Sequence, residues 1–99
     1  MRKGTTPTLT FTIPIDPLQI EKVRIVFAEN NSPILTKTHE DCFMNGNDLV
    51  LRLTQEETFL FECDHNYQVQ MRFKLVNGDV KATDIMCLPV ERCLDEEVL

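Results

Sequence analysis

Residues 67–75 alternate strictly between large apolar and polar side chains, and this pattern limits the fold more than any other stretch. The apolar positions are Tyr67, Val69, Met71, Phe73 and Leu75, and the polar ones are Gln68, Gln70, Arg72 and Lys74. Because successive side chains of a β-strand point to opposite faces, one face of this strand enters a core and the other meets water. Asn77-Gly78 follows directly and favours a tight hairpin, since glycine adopts the positive φ that such a turn requires. The stretch predicts a central antiparallel strand.

Shorter alternating stretches predict six further strands. They lie at 8–15, 21–28, 34–38, 42–44, 49–53 and, with a slip near Thr83, 80–90. Turn-forming residues separate them at intervals of roughly 8–12 residues, which is typical of sandwiches and barrels. The pattern predicts an all-β, immunoglobulin-like sandwich of about seven antiparallel strands, with a small Greek-key barrel as the alternative. Only the architecture is predicted, because the chain lacks tryptophan and the spacing of the usual inter-sheet disulfide.

One segment departs from the two-residue rhythm and predicts a short helical turn at about 55–61. Thr54 and Glu57 have the spacing of a capping box, in which the hydroxyl and the carboxylate each bind the other residue's backbone N–H. The apolar residues that follow, 59–61, are expected to enter the core as a plug between the sheets.

The chain of 99 residues predicts a single domain, 1–99, with a flexible N-terminus at 1–6 and an acidic tail at 93–99. Its hydrophobic fraction of 42% and charged fraction of 26% exclude wholesale disorder. The apolar runs are far shorter than the ~20 residues that a membrane-spanning helix needs. No secretory signal is visible after Arg2 and Lys3, so we expect a cytoplasmic location and no membrane contact.

The formal net charge of −6 argues against nucleic acid as a partner, since phosphate binding relies on clustered lysine and arginine. The ten basic residues look scattered along the sequence, with no evident patch. Basic Arg2 and Lys3 open the chain, and acidic Asp95, Glu96 and Glu97 nearly close it. These ends either favour head-to-tail contact between copies, giving a homo-oligomer, or are two solvated termini.

The four cysteines are interpreted as reduced thiols that pack like small apolar residues: Cys42, Cys63, Cys87 and Cys93. A zinc site could be assembled from His39-x-x-Cys42 and Cys63-x-His65, because zinc prefers four nitrogen and sulfur ligands. These spacings match no standard zinc motif. We therefore predict no metal and no cofactor, with loop histidines and packing cysteines as the default.

No constellation of nucleophile, base and electrophile can be named, so the sequence predicts no catalytic residues and no enzyme. A cysteine activated by His39 or His65 would need an orienting group that the sequence does not supply. The carboxylate pairs Glu56/Glu57 and Glu62/Asp64 are ordinary surface residues, and the helix cap accounts for the first pair.

Several apolar side chains fall on the predicted outer face or in the tail, and such residues can mark a protein interface. They are Val26, Ile85, Cys87, Val98 and Leu99. The alternative is a register error of one residue, which would turn the first three inward. An edge strand that accepts a partner strand is a further route to protein binding.

Four stretches of the chain, taken together, resemble small β-sandwich proteins of tailed phages and prophages of Gram-positive gut bacteria. The stretches are 2–11, 51–58, 67–78 (Tyr67–Phe73 with Asn77-Gly78) and 90–99. The chain is also loosely similar to the N-terminal domain of phage baseplate upper proteins, where a short helical turn precedes a long strand and a glycine turn.

The resemblance implies a structural or adaptor component of the virion, in the tail, baseplate or capsid, or a small accessory protein, and it carries no catalytic residues. We therefore expect a non-enzymatic protein-interaction module made in the bacterial cytoplasm and carried in the virion. The alternative is a cytosolic regulatory or inhibitor-like protein of phage or bacterial origin that binds another protein.

Overall fold

Two antiparallel sheets make up the fold in a computed structural model that describes residues 1–99. The strands are β1 (Thr8–Thr12), β2 (Ile20–Glu29), β3 (Ser32–Thr38), β4 (Cys42–Asn45), β5 (Asp48–Arg52), β6 (Tyr67–Leu75), β7 (Val80–Ala82) and β8 (Met86–Leu88). The helical segments are a 3₁₀ turn at Pro17–Gln19 and α1 at Gln55–Thr58. The predicted all-β sandwich is confirmed.

The smaller sheet has the order β1-β5-β4, and the larger one has the order β3-β2-β6, with β7 and β8 both paired to β6. β7 pairs with the end of β6, and β8 pairs with its beginning. β6 is therefore central, as its alternation predicts, and its five apolar residues are all at most 4% exposed.

The order of the strands is that of an immunoglobulin-like sandwich. In such folds the second, fifth and fourth strands of the common core form one sheet, and the third, sixth and seventh form the other. β1, β5 and β4 take the first set of places, while β2, β6 and the β7–β8 pair take the second, with β3 added at the edge. At the start of β6, the Tyr67 hydroxyl accepts a hydrogen bond from the backbone N–H of Glu62 at 2.5 Å, the arrangement called a tyrosine corner.

The core is a single cluster of 14 buried apolar residues between the sheets. At its centre, the Phe61 ring makes edge contacts with Tyr67 and Phe27, at centroid distances of 4.9 and 5.7 Å. Burying each such side chain contributes roughly 1.5–3 kcal/mol to the free energy of folding. The segment after α1 therefore packs one aromatic ring against β2 and β6 of the larger sheet.

Both hairpins and the slip near Thr83 are confirmed. Gly46 and Gly78 have φ of +60° and +94°, left-handed conformations that glycine adopts without steric cost. β7 ends at Ala82 and β8 begins at Met86. Between them, the Thr83 hydroxyl accepts a hydrogen bond from the Met71 N–H at 3.1 Å and so replaces a rung of the ladder.

The capping box of α1 is confirmed as well. The Glu57 N–H donates to the Thr54 hydroxyl at 3.1 Å, and the Thr54 N–H donates to the Glu57 carboxylate at 2.9 Å. The expectation that residues 59–61 all enter the core is wrong, because Leu60 is 52% exposed. Successive residues of a helical turn point about 100° apart, so three consecutive residues cannot all face the same core.

The two ends of the chain lie side by side. Residues 1–6 are predicted to be flexible, and in the structure Arg2 forms a parallel bridge with Glu91. The Lys3 N–H donates to the Glu91 carbonyl at 3.1 Å, and the Gly4 N–H donates to the buried Thr58 hydroxyl at 2.9 Å. These bonds join the first residues to α1 and to the segment after β8.

Candidate functional site

The outer face of the five-stranded sheet, opposite the core, is where the structure gathers cations that have no acidic partner. On β6 the odd-numbered residues are buried, so the even-numbered ones from Gln68 to Lys74 point outward. On β2 the outward residues are Lys22, Arg24, Val26 and Ala28, which lie opposite Lys74, Arg72, Gln70 and Gln68. We refer to the surface that these eight residues form as the outer face.

Four cations occupy one half of the outer face in two adjacent rows. Lys22 lies directly opposite Lys74, and Arg24 lies directly opposite Arg72. Directly opposed residues have Cβ atoms about 4.5–5.5 Å apart. Consecutive rows are about 6.8 Å apart along the strands. We call this two-by-two set the basic array.

No carboxylate lies within 4.0 Å of any cation of the basic array. Other cations in the molecule do have such partners: Lys37 binds Glu57 at 2.5 Å, and Lys3 lies 3.6 Å from both Glu62 and Glu96. Like charges that face each other across two strands destabilise a sheet. The basic array therefore lowers stability in the isolated chain and offers uncompensated positive charge to a ligand.

A shallow cavity of about 260 Å³ lies over the basic array. Besides the four cations, Thr38, His39 and Val80 line it at the two sides. Arginine guanidinium groups bind carboxylates through two parallel hydrogen bonds, and lysine adds a mobile charge. The cavity can hold an anionic side chain in contact with several cations at once.

The other half of the outer face carries no charge. Val26 and Ala28 are half-buried beside Gln68 and Gln70, and Ile85 is 56% exposed at the margin. These residues line a second cavity of about 220 Å³ together with Asn31 and Pro33. We call this surface the neutral half. It continues the outer face beyond the basic array along β2 and β6, and it offers apolar surface to a ligand. The predicted exposed positions Ile85 and Cys87 are confirmed, whereas Val26 is half-buried.

The expectation of scattered basic residues is wrong, since four of the ten lie in the basic array. The two segments that carry them, 22–24 and 72–74, are far apart in the sequence. Only the pairing of β2 with β6 brings them together, and the register of that pairing depends on the whole core. The local signal was a cation at every second position in both segments.

The residues of the imagined zinc site are held apart in separate local contacts. The His39 side chain is exposed in the turn after β3. The backbone N–H of His39 donates to the Val23 carbonyl at 3.0 Å. The Cys42 thiol donates to the Thr38 carbonyl at 3.5 Å, and burial raises the pKa of this thiol. A raised pKa keeps the thiol protonated, which opposes the thiolate form that metals and electrophiles require.

The second half of that imagined site lies near the start of β6. His65 binds the Glu29 carboxylate through Nδ1 and stacks on the Tyr67 ring. Cys63 is half-buried in the turn before it. No three histidine, cysteine, aspartate or glutamate side chains form a group that could hold a metal ion.

In each of the two carboxylate pairs, Glu56/Glu57 and Glu62/Asp64, the two members make different contacts. Glu57 caps α1 and binds Lys37, while Glu56 is exposed. Burial alone would raise the pKa of Glu57, but the Lys37 and Thr54 hydrogen bonds outweigh it and lower the pKa. Glu62 approaches Lys3, while Asp64 is exposed in the turn before β6 with φ of +64°. The members of each pair therefore do not work as a unit.

Comparisons with family models, with curated proteins and with solved structures found no match for this chain. Among the helical segments, none has the length and the apolar character needed to cross a membrane.

Proposed function

We propose that this protein is a non-enzymatic protein-interaction module that docks an acidic segment of a partner protein on the outer face. The observation that carries the proposal is the basic array, four opposed cations without a carboxylate within 4.0 Å. An arginine stays charged at all physiological pH values and cannot act as an acid or a base. Its chemistry here is recognition of an anion.

The surroundings of the basic array favour a protein over a nucleic acid. Single-stranded nucleic acids are held by aromatic side chains on which bases stack. The outer face presents no aromatic side chain, because Phe73 and Tyr67 point into the core. The net charge of −6 also repels a long polyanion from the rest of the surface. A short acidic segment of a protein avoids this repulsion, because it contacts the basic array and not the acidic remainder of the surface.

We also propose that the module works in a phage or prophage virion, as a tail, baseplate or capsid-accessory component made in the bacterial cytoplasm. The support for this assignment is the resemblance of residues 2–11, 51–58, 67–78 and 90–99 to small β-sandwich proteins of tailed phages. A rigid sandwich with one uncovered charged face suits an assembly role, since such a face gives orientation and partner choice.

The test is mass spectrometry of purified virions from a lysogen that expresses the wild-type chain or a variant. We expect the wild-type chain in the particles and loss of the double variant Arg24→Glu/Arg72→Glu. Arg52→Glu is the matched control, because Arg52 is exposed on β5 and faces Thr8.

Absence of the wild-type chain from virions would overturn the virion assignment. Equal incorporation of the double variant would overturn docking on the outer face. Absence from virions together with a charge-dependent complex with a cytosolic protein would favour the regulatory alternative.

A further inference from the structure

We propose that the outer face binds residues 95–99 of a second copy of this chain. The inference rests on the proposed function, because it names the occupant of the same face. The segment reads Asp95-Glu-Glu-Val-Leu99, so acidic residues come first and apolar residues follow. The outer face has the same order along β2, with the basic array first and the neutral half after it.

The alternating side chains of the segment match the rows of the face. In an extended segment, Asp95, Glu97 and Leu99 point to one side at intervals of about 6.8 Å. The rows of the face have the same interval, because they are formed by every second residue of β2. Two carboxylates and one apolar side chain can therefore meet three consecutive rows.

The pairing of segment and face follows from this spacing. Asp95 meets the row of Lys22 and Lys74, and Glu97 meets the row of Arg24 and Arg72. Leu99 then reaches the row of Val26, next to the exposed Ile85. Each carboxylate lies between two opposed cations and so relieves the repulsion within its row. The apolar residue covers surface that is otherwise in contact with water.

The segment is weakly held in the isolated chain. Its side chains are solvent-exposed, and the Leu99 side chain is 96% exposed. Gln55 makes two hydrogen bonds with the Leu99 backbone, at 2.8 and 2.9 Å, and Lys3 lies 3.6 Å from Glu96. Exposed hydrogen bonds and ion pairs of this kind contribute little and exchange readily with water.

The occupant is a second copy because the segment does not reach the basic array of its own chain. Leu88 pairs with Tyr67 at the start of β6, whereas Arg72 lies about 17 Å further along that strand. Beyond Leu88, the Glu91 N–H donates to the Met1 carbonyl at 2.7 Å, and the Leu99 N–H donates to the Gln55 side chain of α1 at 2.8 Å. From Glu91 to Asp95 the chain spans at most about 14 Å.

Binding of one copy's segment to the next copy's face is a head-to-tail contact. Each copy keeps a free face at one end and a free segment at the other, so the contact builds rings or open filaments. This geometry fits a repeating component of a larger particle.

Sedimentation velocity of the full chain over a concentration series tests the inference. We expect self-association that weakens more than about tenfold when the ionic strength rises from about 0.1 to about 1 M, as the screening length falls from ~10 to ~3 Å. The face variant, Arg24→Glu/Arg72→Glu, and the tail variant, Asp95→Lys/Glu97→Lys, should each associate more than about tenfold more weakly.

A mixture of the two variants gives the decisive result. The face variant keeps a native segment, and the tail variant keeps a native face, so the mixture should associate although each variant alone does so only weakly. The control is Asp64→Lys, an exposed acidic residue outside the segment, which should associate like the wild type. Circular dichroism of each variant confirms that it is folded.

A tail variant that associates like the wild type, or a mixture that associates no better than the separate variants, would overturn the inference. Charge-dependent binding of a short single-stranded oligonucleotide to the face would overturn it in favour of nucleic acid. A monomeric wild type that still loses virion incorporation on Arg24→Glu/Arg72→Glu would refute the second copy and leave the proposed function standing.

Discussion

Replacing Arg72 by glutamate should make the isolated protein more stable, although it removes part of the proposed binding site. In the wild type, Arg72 faces Arg24 directly and lies one row from Lys22 and Lys74. The substitution removes one opposed like-charge pair and creates an opposed pair of unlike charges. Each of these two changes is worth about 0.2–1 kcal/mol.

The two changes have the same sign, so the free energy of unfolding should rise by about 1 kcal/mol. For a domain of this size, that gain raises the Tm by about 4–8 °C. Chemical denaturation and differential scanning calorimetry at about 0.1 M salt measure it. At about 1 M salt the gain should be nearly lost, because exposed charges are then screened within ~3 Å.

The matched control is Arg52→Glu, which changes the net charge by the same amount. Arg52 lies opposite Thr8 and donates to the Thr6 hydroxyl at 3.3 Å, so no repulsion is relieved there. We expect no gain from this variant. A destabilised Arg72→Glu, or a gain of the same size at high salt, would show that the basic array is not under repulsive strain.

Three further predictions concern the contacts that hold α1 and the start of β6. Tyr67→Phe keeps the buried ring but leaves the Glu62 N–H without its partner at 2.5 Å, and urea denaturation should show a loss of about 1–3 kcal/mol. Thr54→Ala removes the cap of α1, and we expect a loss of about 1 kcal/mol together with faster amide exchange at Glu57. The folded-state pKa of Glu57 lies below the ordinary pKa of a glutamate, so its contribution to stability is complete above that ordinary pKa and should be lost as the pH falls through the folded pKa. Glu57→Gln should therefore flatten the acid limb of the stability curve, and an unchanged acid limb would contradict the Lys37–Glu57 assignment.

The sequence predicts those parts of the fold that are decided by neighbouring residues. The β6 strand follows from strict alternation, and the cap of α1 follows from Thr54 and Glu57 three positions apart. The hairpin at Gly78 follows from a backbone conformation that favours glycine. In each case the controlling interactions lie within a few residues of one another.

The candidate site could not be predicted in the same way, because it depends on contacts between distant segments. Lys22 and Lys74 become neighbours only when β2 pairs with β6, and a shift by one residue would turn both inward. The error at Leu60 has a related cause, since hydrophobicity alone does not say which of three consecutive residues faces the core. Direction and register are set by the completed sandwich.

The contacts between the first residues and the last can form only when synthesis is nearly complete. The Met1 ammonium group binds the Pro89 carbonyl, 88 residues away, and β2 pairs with the late strand β6. Synthesis at about 5–20 residues per second leaves the β2–β3 hairpin without β6 for several seconds. During that time the open edge of β2 is exposed to other nascent chains. Lys22 and Arg24 lie on that strand, and charged residues on an edge strand oppose its pairing with another chain, so the cations of the basic array have a second consequence before the sheet is complete.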